Sequence, residues 1–422
     1  MVRTSDCFLP NHRSTSNLLL ADIYGSKFHH HQSAQVPAGK FFAFDYVEFW
    51  VGNAIQARDY YMSRFGFKPY AYRGLETGSR DVVTHVVRQN NAIMAFSSPL
   101  QPASKSAISR EMSEHMAQHG DGVKDIAFTV DNVEAIYKAA VENGAVSVKE
   151  PTVLSDELGS VKIASVRTYG ETIHTFVERS EYKGKFLPGY KVVEDDICDP
   201  LANITAPLGL LHIDHIVGNQ GWNEMVNVCE WYEQKLGFHR FWSVDDSIMH
   251  TEYSALKSIV MTDADEAVKM PINEPAKGKK MSQIEEFVNF YGGPGAQHIA
   301  LRTDDIIHTI TQMKARGVNF LPTPDSYYDN LRKRLAHAPI TVKEDIDVLQ
   351  KLKVLVDFDD KGYLLQIFTK PVEDRPTLFY EIIQRANNDG FGFGNFKALF
   401  ESIEQEQERR GTLVETNYSV QC

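Results

Sequence analysis

Apolar and polar positions first organise themselves over residues 44–70, FDYVEFWVGNAIQARDYYMSRFGFKPY: an apolar strand, a helix with two aromatic residues near its end, then a Gly-Phe step. The same pattern returns over residues 213–241, IDHIVGNQGWNEMVNVCEWYEQKLGFHRF. A second strand-helix opening, GVKDIAFTVDNVEAIYKAAVENGA (122–145), is matched by GAQHIALRTDDIIHTITQMKARGV (295–318). Because the order is the same in both places, the chain reads as a duplicated unit. Strand-like runs follow each opening, among them residues 81–96, 171–179 and 364–370. Helices alternating with several short strands predict an α+β fold of two tandem halves, each with a curved sheet and helices outside.

The stretch DDICDPLANITAP (195–207), acidic and then Pro-containing, reads as a linker. It divides the chain into an N-terminal arm (1–36), a first domain (37–195) and a second domain (208–422). The arm is rich in Ser, Asn and His, and its HHH run (29–31) suits a surface or intersubunit role better than a metal. Near the C-terminus GFGFGN (390–395) resembles a phosphate loop, but without a strand-turn-helix setting it reads as glycine hinges. The hinges lead into NFKALFESIEQEQERRG, where Phe396, Leu399, Phe400 and Ile403 form one stripe opposite Glu and Gln. That is an amphipathic helix, expected to lay its Phe edge on the body and able to close a pocket.

Composition narrows the class. At 422 residues, 43% hydrophobic and 24% charged, the chain suits a globular protein with more than one core. No apolar run approaches a membrane span, and Leu18 to Ala21 is too short for a signal-peptide core. A cytoplasmic location without membrane association is therefore expected. The formal net charge of −12 argues against a nucleic-acid partner, and the clusters KGKK (277–280) and LRKRL (331–335) read as solvated faces. Cys7, Cys198, Cys229 and Cys422 are too scattered for a disulfide framework or a cysteine zinc motif.

The chemistry begins at LHIDHIVGN (211–219). Strict alternation puts Leu211, Ile213, His215 and Val217 on one face and Asp214 on the other. A single histidine on an apolar face is more often a hydrogen-bonded core residue than a ligand. The internal repeat changes that balance: His215 aligns with Tyr46, His298 with Asp125, and Glu381 with Glu178. The second half thus has His, His and Glu on three separate strand segments, and a carboxylate flanked by Phe379 and Ile383 needs a positive partner if buried. Two imidazoles and a carboxylate on one face of an octahedral ion leave three positions open, as suits ferrous iron in oxygenases. Zinc stays open on these residues, although H-E-x-x-H is absent.

These residues carry a family resemblance. IDHIVGN, PINEP (271–275), SQIEEF (282–287), GAQHIAL, GYLLQIFTKP, DRPTLFYEIIQR and GFGFGNFKALFESIE run in order through residues 209–411. The second half closely resembles the 4-hydroxyphenylpyruvate dioxygenases of the vicinal-oxygen-chelate superfamily, built from paired βαβββ modules that form an open, barrel-like sheet. The first half matches more loosely, through FDYVEFWVGNA and GVKDIAF. The resemblance implies one Fe(II) per chain, held by His215, His298 and Glu381, and a homodimer. It implies a polar network of Ser258, Asn273, Gln283 and Gln297, with Gln366 close to the metal. Phe368, Phe379, Phe391, Asn395, Phe396 and Leu399 would bound the pocket, and Pro271 would shape it. The implied reaction joins a 2-oxo acid and O2: oxidative decarboxylation, ring hydroxylation and side-chain migration to homogentisate. Hydroxymandelate synthase shares this substrate, metal and fold; a non-catalytic binding member of the superfamily, or a metal hydrolase or isomerase, stands further off.

Overall fold

The computed structural model describes residues 38–179, 181–193, 201, 204–244 and 250–416. The arm, most of the linker, Cys7, Cys198 and Cys422 lie outside the described residues.

The first half opens with β1 (Phe41–Trp50), α1 (Ala54–Phe65), β2 (Lys68–Arg73), β3 (Val82–Gln89) and β4 (Ala92–Pro99). After α2 (Ala107–His119) come β5 (Gly122–Val130), α3 (Val133–Glu142), β6 (Ser147–Asp156), β7 (Gly159–Arg167), β8 (Ile173–Glu178) and a short β9 (Lys191–Val192). The second half repeats the order with β10 (Leu210–Asn219), α4 (Met225–Trp231), β11 (His239–Val244), β12 (Ala255–Thr262) and β13 (Lys269–Ala276). Then follow α5 (Gln283–Tyr291), β14 (Gly295–Thr303) and α6 (Ile306–Ala315), and two inserted helices, α7 (Asp325–Leu335) and α8 (Ile346–Leu352). β15 (Leu355–Phe358), β16 (Tyr363–Phe368), β17 (Phe379–Ala386) and α9 (Phe396–Arg410) complete the chain.

The first sheet runs β6-β7-β8-β5-β1-β4-β3-β2-β9, and the second β15-β16-β17-β14-β10-β13-β12-β11. Apart from edge strand β9, strand follows strand in the same order, as two copies of a βαβββ pair require. The repeated Gly-Phe step has a local cause. Gly66 and Gly237 close their helices at φ 65° and 69°, left-handed backbone that costs glycine little, and each delivers a buried Phe, Phe67 or Phe238, to the core. The second repeated opening starts its helix with a side-chain cap in both halves. Asn132 accepts from the Ala135 amide and Asp305 from the His308 amide.

Helices α1, α3 and α6 bury Tyr61, Phe65, Val133, Ile136, Ile306 and Ile310 against one face of the sheets, in a continuous core with Phe49, Phe128, Ile216, Tyr380 and Ile382. The inner faces are finished differently. In the first half Phe186 and Leu187, from the stretch after β8, pack on Tyr46, Ala127, Ile163 and Val177. In the second half α9 lies across the inner face, with Ala398 and Ile403 against Leu321, Leu355, Phe368 and Phe379.

Two expectations about this layout change. The α9 stripe divides, because Phe400 and Phe396 pack on Leu256 and Ile284 while Leu399 and Ile403 join the Phe368 and Phe379 cluster. Nor is the opposite side all solvated: Glu404, Glu406 and Gln407 are buried. Glu404 accepts from the hydroxyls of Ser254 (2.5 Å) and Thr251, and Glu406 pairs with Lys370 at 2.7 Å. A helix seated in a groove meets protein on more than one side, so its polar residues find partners instead of water.

Candidate metal centre

His215 on β10, His298 on β14 and Glu381 on β17 come together on three adjacent strands, all buried. Glu381 Oε2 lies 3.2 Å from His215 Nε2 and 3.4 Å from His298 Nε2. Ligand atoms bonded to one ion at ~2.1 Å stand roughly 3.0–3.4 Å apart, the spacing Glu381 Oε2 shows to each imidazole.

How the histidines reach this face was not legible from alternation. In β10 the register passes from Ile213↔Leu301 to His215↔Ala300, skipping one residue, so Asp214 is a bulge. A matching bulge on β14 skips Gln297, between Gly218↔Ala296 and Val217↔His298. The expected shared face of Leu211, Ile213, His215 and Val217 is therefore wrong: Ile213 lies in the helix-side core with Leu210 and Ile216, and His215 turns inward. Asp214 is not sent away from the site either. The His215 Nδ1–H donates to Asp214 Oδ1 at 2.8 Å, and that of His298 to Gln297 Oε1 at 3.0 Å. Each bulge residue fixes the ring it precedes, leaving each Nε2 directed at Glu381 and free to ligate once unprotonated.

The electrostatics follow. Burial works against the Glu381 charge, but His215 and His298 hold its carboxyl down at about 2. Burial pushes His298 towards its neutral form. Burial also opposes protonation of His215, but Glu381 and Asp214 overcome it and raise its pKa. A cation on Nε2 would take that proton's place. Asp214 stays ionised despite burial because Arg385 bonds it through Nε (2.9 Å) and Nη2 (2.8 Å). A buried donor set of two Nε2 lone pairs and a carboxylate, oriented from behind, fits a divalent metal.

Around the triad, Gln366 Nε2 donates to Glu381 Oε1 at 3.3 Å, and Asn395 Nδ2 to Gln366 Oε1 at 3.1 Å. Gln297 Nε2 donates to Gln283 Oε1 at 3.4 Å. Phe379 stacks on His298 at 4.8 Å, while Phe368 meets it edge-on at 6.0 Å and Phe391 meets His215 at 5.2 Å. Gly392, at φ 72°, closes on Gln366 so tightly that a Cβ would fall 1.7 Å from its Oε1. Ser258 and Asn273 stand opposite each other on β12 and β13, with Pro271 opposite Val260, and Asn273 Nδ2 donates to Asn219 Oδ1 at 3.3 Å. Phe396 sits with Leu256 and Ile284, and Leu399 near Phe368 and Phe379. A cavity of about 30 Å³, space for about one water, is lined by Gln283, Gln297, Phe379 and Ile403 and by none of the triad. A larger cavity of about 400 Å³, bordered by Tyr60, Tyr61, Asp121 and Glu373, contains none of these residues.

Three positioning residues escaped sequence reasoning. Asp214 was hidden by the bulge, and Arg385 would have been found only through Asp214. Tyr327, on inserted helix α7, donates to Asn395 Oδ1 at 2.7 Å. An insertion has no counterpart in the repeat to compare with.

Residues 212–367 match the Glyoxalase/Bleomycin resistance protein/Dioxygenase superfamily. A 4-hydroxyphenylpyruvate dioxygenase of Tetrahymena thermophila is 60% identical over 379 residues, 89% of this chain and 93% of that protein. The chain belongs to the 4-hydroxyphenylpyruvate dioxygenase family. A 4-hydroxyphenylpyruvate dioxygenase of Xenopus tropicalis is 58% identical, over 89% of this chain and 94% of its own length. Among solved structures, a mutant 4-hydroxymandelate synthase from Streptomyces coelicolor superposes with a TM-score of 0.73 at 29% identity, covering 87% of this chain and 99% of that one. Sequence thus places the chain much nearer the 4-hydroxyphenylpyruvate dioxygenases than the synthase.

Proposed function

We propose that this chain converts 4-hydroxyphenylpyruvate and O2 to homogentisate and CO2, with one Fe(II) held by His215, His298 and Glu381. The observation that carries the reading is the convergence of two buried imidazole Nε2 atoms, 3.2 and 3.4 Å from one buried carboxylate oxygen, in a chain 60% identical to a family member. Three protein ligands leave three positions, enough for a bidentate 2-oxo acid and O2. The iron supplies the activation of O2 and the oxidation of the ring.

The chain's own residues do the rest. Asp214 and Gln297 keep both imidazoles in the Nδ1–H form. Gln366 and Asn395 hold the carboxylate in a polar chain, while Phe368, Phe379 and Phe391 keep the reacting centre dry. Gln283, Gln297, Asn273 and Ser258 would orient the phenol, with Pro271 shaping the wall behind them. Because α9 lies across the inner face with Phe396 and Leu399, it would shift to admit the substrate. Homodimeric assembly and a cytoplasmic location belong to this reading; among the described residues no helix is long and apolar enough to cross a membrane.

The test is anaerobic addition of Fe(II) and 4-hydroxyphenylpyruvate, followed by O2 and product chromatography. A visible charge-transfer band and then homogentisate are expected. Hydroxymandelate as product would assign the synthase reaction, and no band with no O2 uptake would remove the oxygenase reading.

A further inference from the structure

The described residues contain one other cluster of metal-ligating side chains, and it lies in the first half. His115 and His119 stand one turn apart on α2, both buried, and Glu171 faces them from the turn between β7 and β8. We propose that His115, His119 and Glu171 form a second metal site, for a divalent transition ion of the zinc class.

The geometry at His119 carries the argument. Its Nδ1 lies 2.6 Å from the Tyr291 carbonyl oxygen, which only accepts, so Nδ1 holds the proton and donates. In the neutral imidazole Nε2 is then a lone pair, buried and without a hydrogen-bond partner, 3.5 Å from Glu171 Oε2. That buried lone pair faces a partly exposed carboxylate, an arrangement that a cation between them would stabilise. The spacing suits one ion, since ligands at ~2.0–2.1 Å on a tetrahedral zinc stand roughly 3.3 Å apart. A backbone carbonyl behind a histidine is also a usual outer partner of a metal ligand.

His115 Nδ1 lies 2.6 Å from the same carboxylate oxygen, while its Nε2 is buried and also unpartnered. That contact is a hydrogen bond in the present geometry and opens by less than 1 Å if His115 ligates through Nδ1. The Glu171 side chain is 39% exposed, which provides an entry path and room for water as a fourth ligand. The competing cation is Lys124, whose Nζ is 4.0 Å from Glu171 Oε2 and 3.9 Å from Glu111 Oε1. At 4.0 Å that contact is at the outer limit of an ion pair.

Counting back from the capping glycines Gly120 and Gly292, His115 and His119 stand where α5 has Phe287 and Tyr291. Tyr291 stacks on His119 at 4.4 Å, so an ion here would tie α2 to the β7–β8 turn and, through the Tyr291 carbonyl, to the second half. The role is structural, and it does not depend on the reaction proposed above.

The test uses the full chain bearing Glu381→Ala, which removes a ligand of the first centre, stripped with chelator and titrated with Zn2+. One equivalent retained after desalting is expected, and its affinity should fall at least about tenfold when His119→Gln or Glu171→Gln is added. Melting measured with and without Zn2+ provides the second readout: the ion should raise the Tm of Glu381→Ala and not that of the double variants. In case a double variant does not fold, Co2+ added to wild-type protein already loaded with Fe(II) should give the visible bands of a second, nitrogen-ligated ion. No zinc in Glu381→Ala, zinc unaffected by His119→Gln, or no second cobalt signal would each overturn the proposal.

Discussion

The two halves of this molecule have one architecture and opposite answers to the same buried position. Register correspondence pairs His215 with Tyr46 and His298 with Asp125, since Tyr46↔Ala127 repeats His215↔Ala300 and both strand pairs have the same two bulges. For the third ligand the expected correspondence of Glu381 with Glu178 fails. Glu381 stands beside Ala300, and counting along Asp125↔Ile173 and Phe128↔Phe176 puts Thr175 beside Ala127. Glu178 corresponds instead to Gln384: Glu178 accepts from the Val133 amide at 3.0 Å and Gln384 from the Ile306 amide at 2.8 Å, each at a helix start.

Where the second half converges on an ion, the first half closes on itself. Thr175 donates to Asp125 from its amide (3.1 Å) and hydroxyl (2.6 Å), and the Tyr46 hydroxyl lies 3.3 Å from the same carboxyl. Burial pushes Asp125 up to about 8, so it is largely protonated at neutral pH. Even the buttress is shared, with Arg179 on Asp45 matching Arg385 on Asp214. The lesson is that the scaffold for a metal survives without the metal as long as every buried polar group is satisfied by another.

The largest effect should come from breaking the side of the comparison that binds metal. Glu381→Ala is expected to abolish iron binding at this centre and essentially all turnover while the chain stays folded, as checked by iron stoichiometry, product formation and circular dichroism. Full turnover in a metal-replete assay would remove Glu381 from the site. Next, the matched pair Asp214→Asn and Asp45→Asn should separate function from support. Asp214→Asn should weaken iron about 10–100-fold, whereas Asp45→Asn should lower the melting temperature and leave iron affinity intact. Equal effects on iron titration would contradict the assignment.

A third test is pH-dependent. Asp125 binds its proton more tightly in the folded chain than in the unfolded one, so this group makes stability fall as pH rises from about 4 to about 8. Asp125→Asn should remove that slope, up to ~1.4 kcal/mol per pH unit, and stabilise the protein most near pH 8. Denaturant melts at pH 5 and pH 8 would show it, and an unchanged slope would mean the carboxyl is ionised throughout. The smallest effect belongs to Glu178→Gln, which keeps the acceptor for Val133 and should change stability by less than ~0.5 kcal/mol. A loss of iron in that variant would restore Glu178 as the counterpart of Glu381.

The sequence by itself determined the duplication and the α+β layout, because strand period, capping residues and repeat order are local properties that survive in one dimension; it singled out His215 and His298 through the repeat, and Glu381 through its residue type and the family resemblance. It also identified α9, although not which of its polar residues are buried. Only the tertiary structure decided the faces. A bulge adds one residue to a strand and inverts every parity count after it, which is why Asp214 was assigned away from His215. Glu178 was matched to Glu381 three positions out of register, which only the pairing of β8 and β17 with their neighbours reveals. The clusters of Asp214 with Arg385, Tyr327 with Asn395, and His115 and His119 with Glu171 join residues distant in the chain. Their meeting is set by how strands register and helices dock, which no single stretch of the chain specifies.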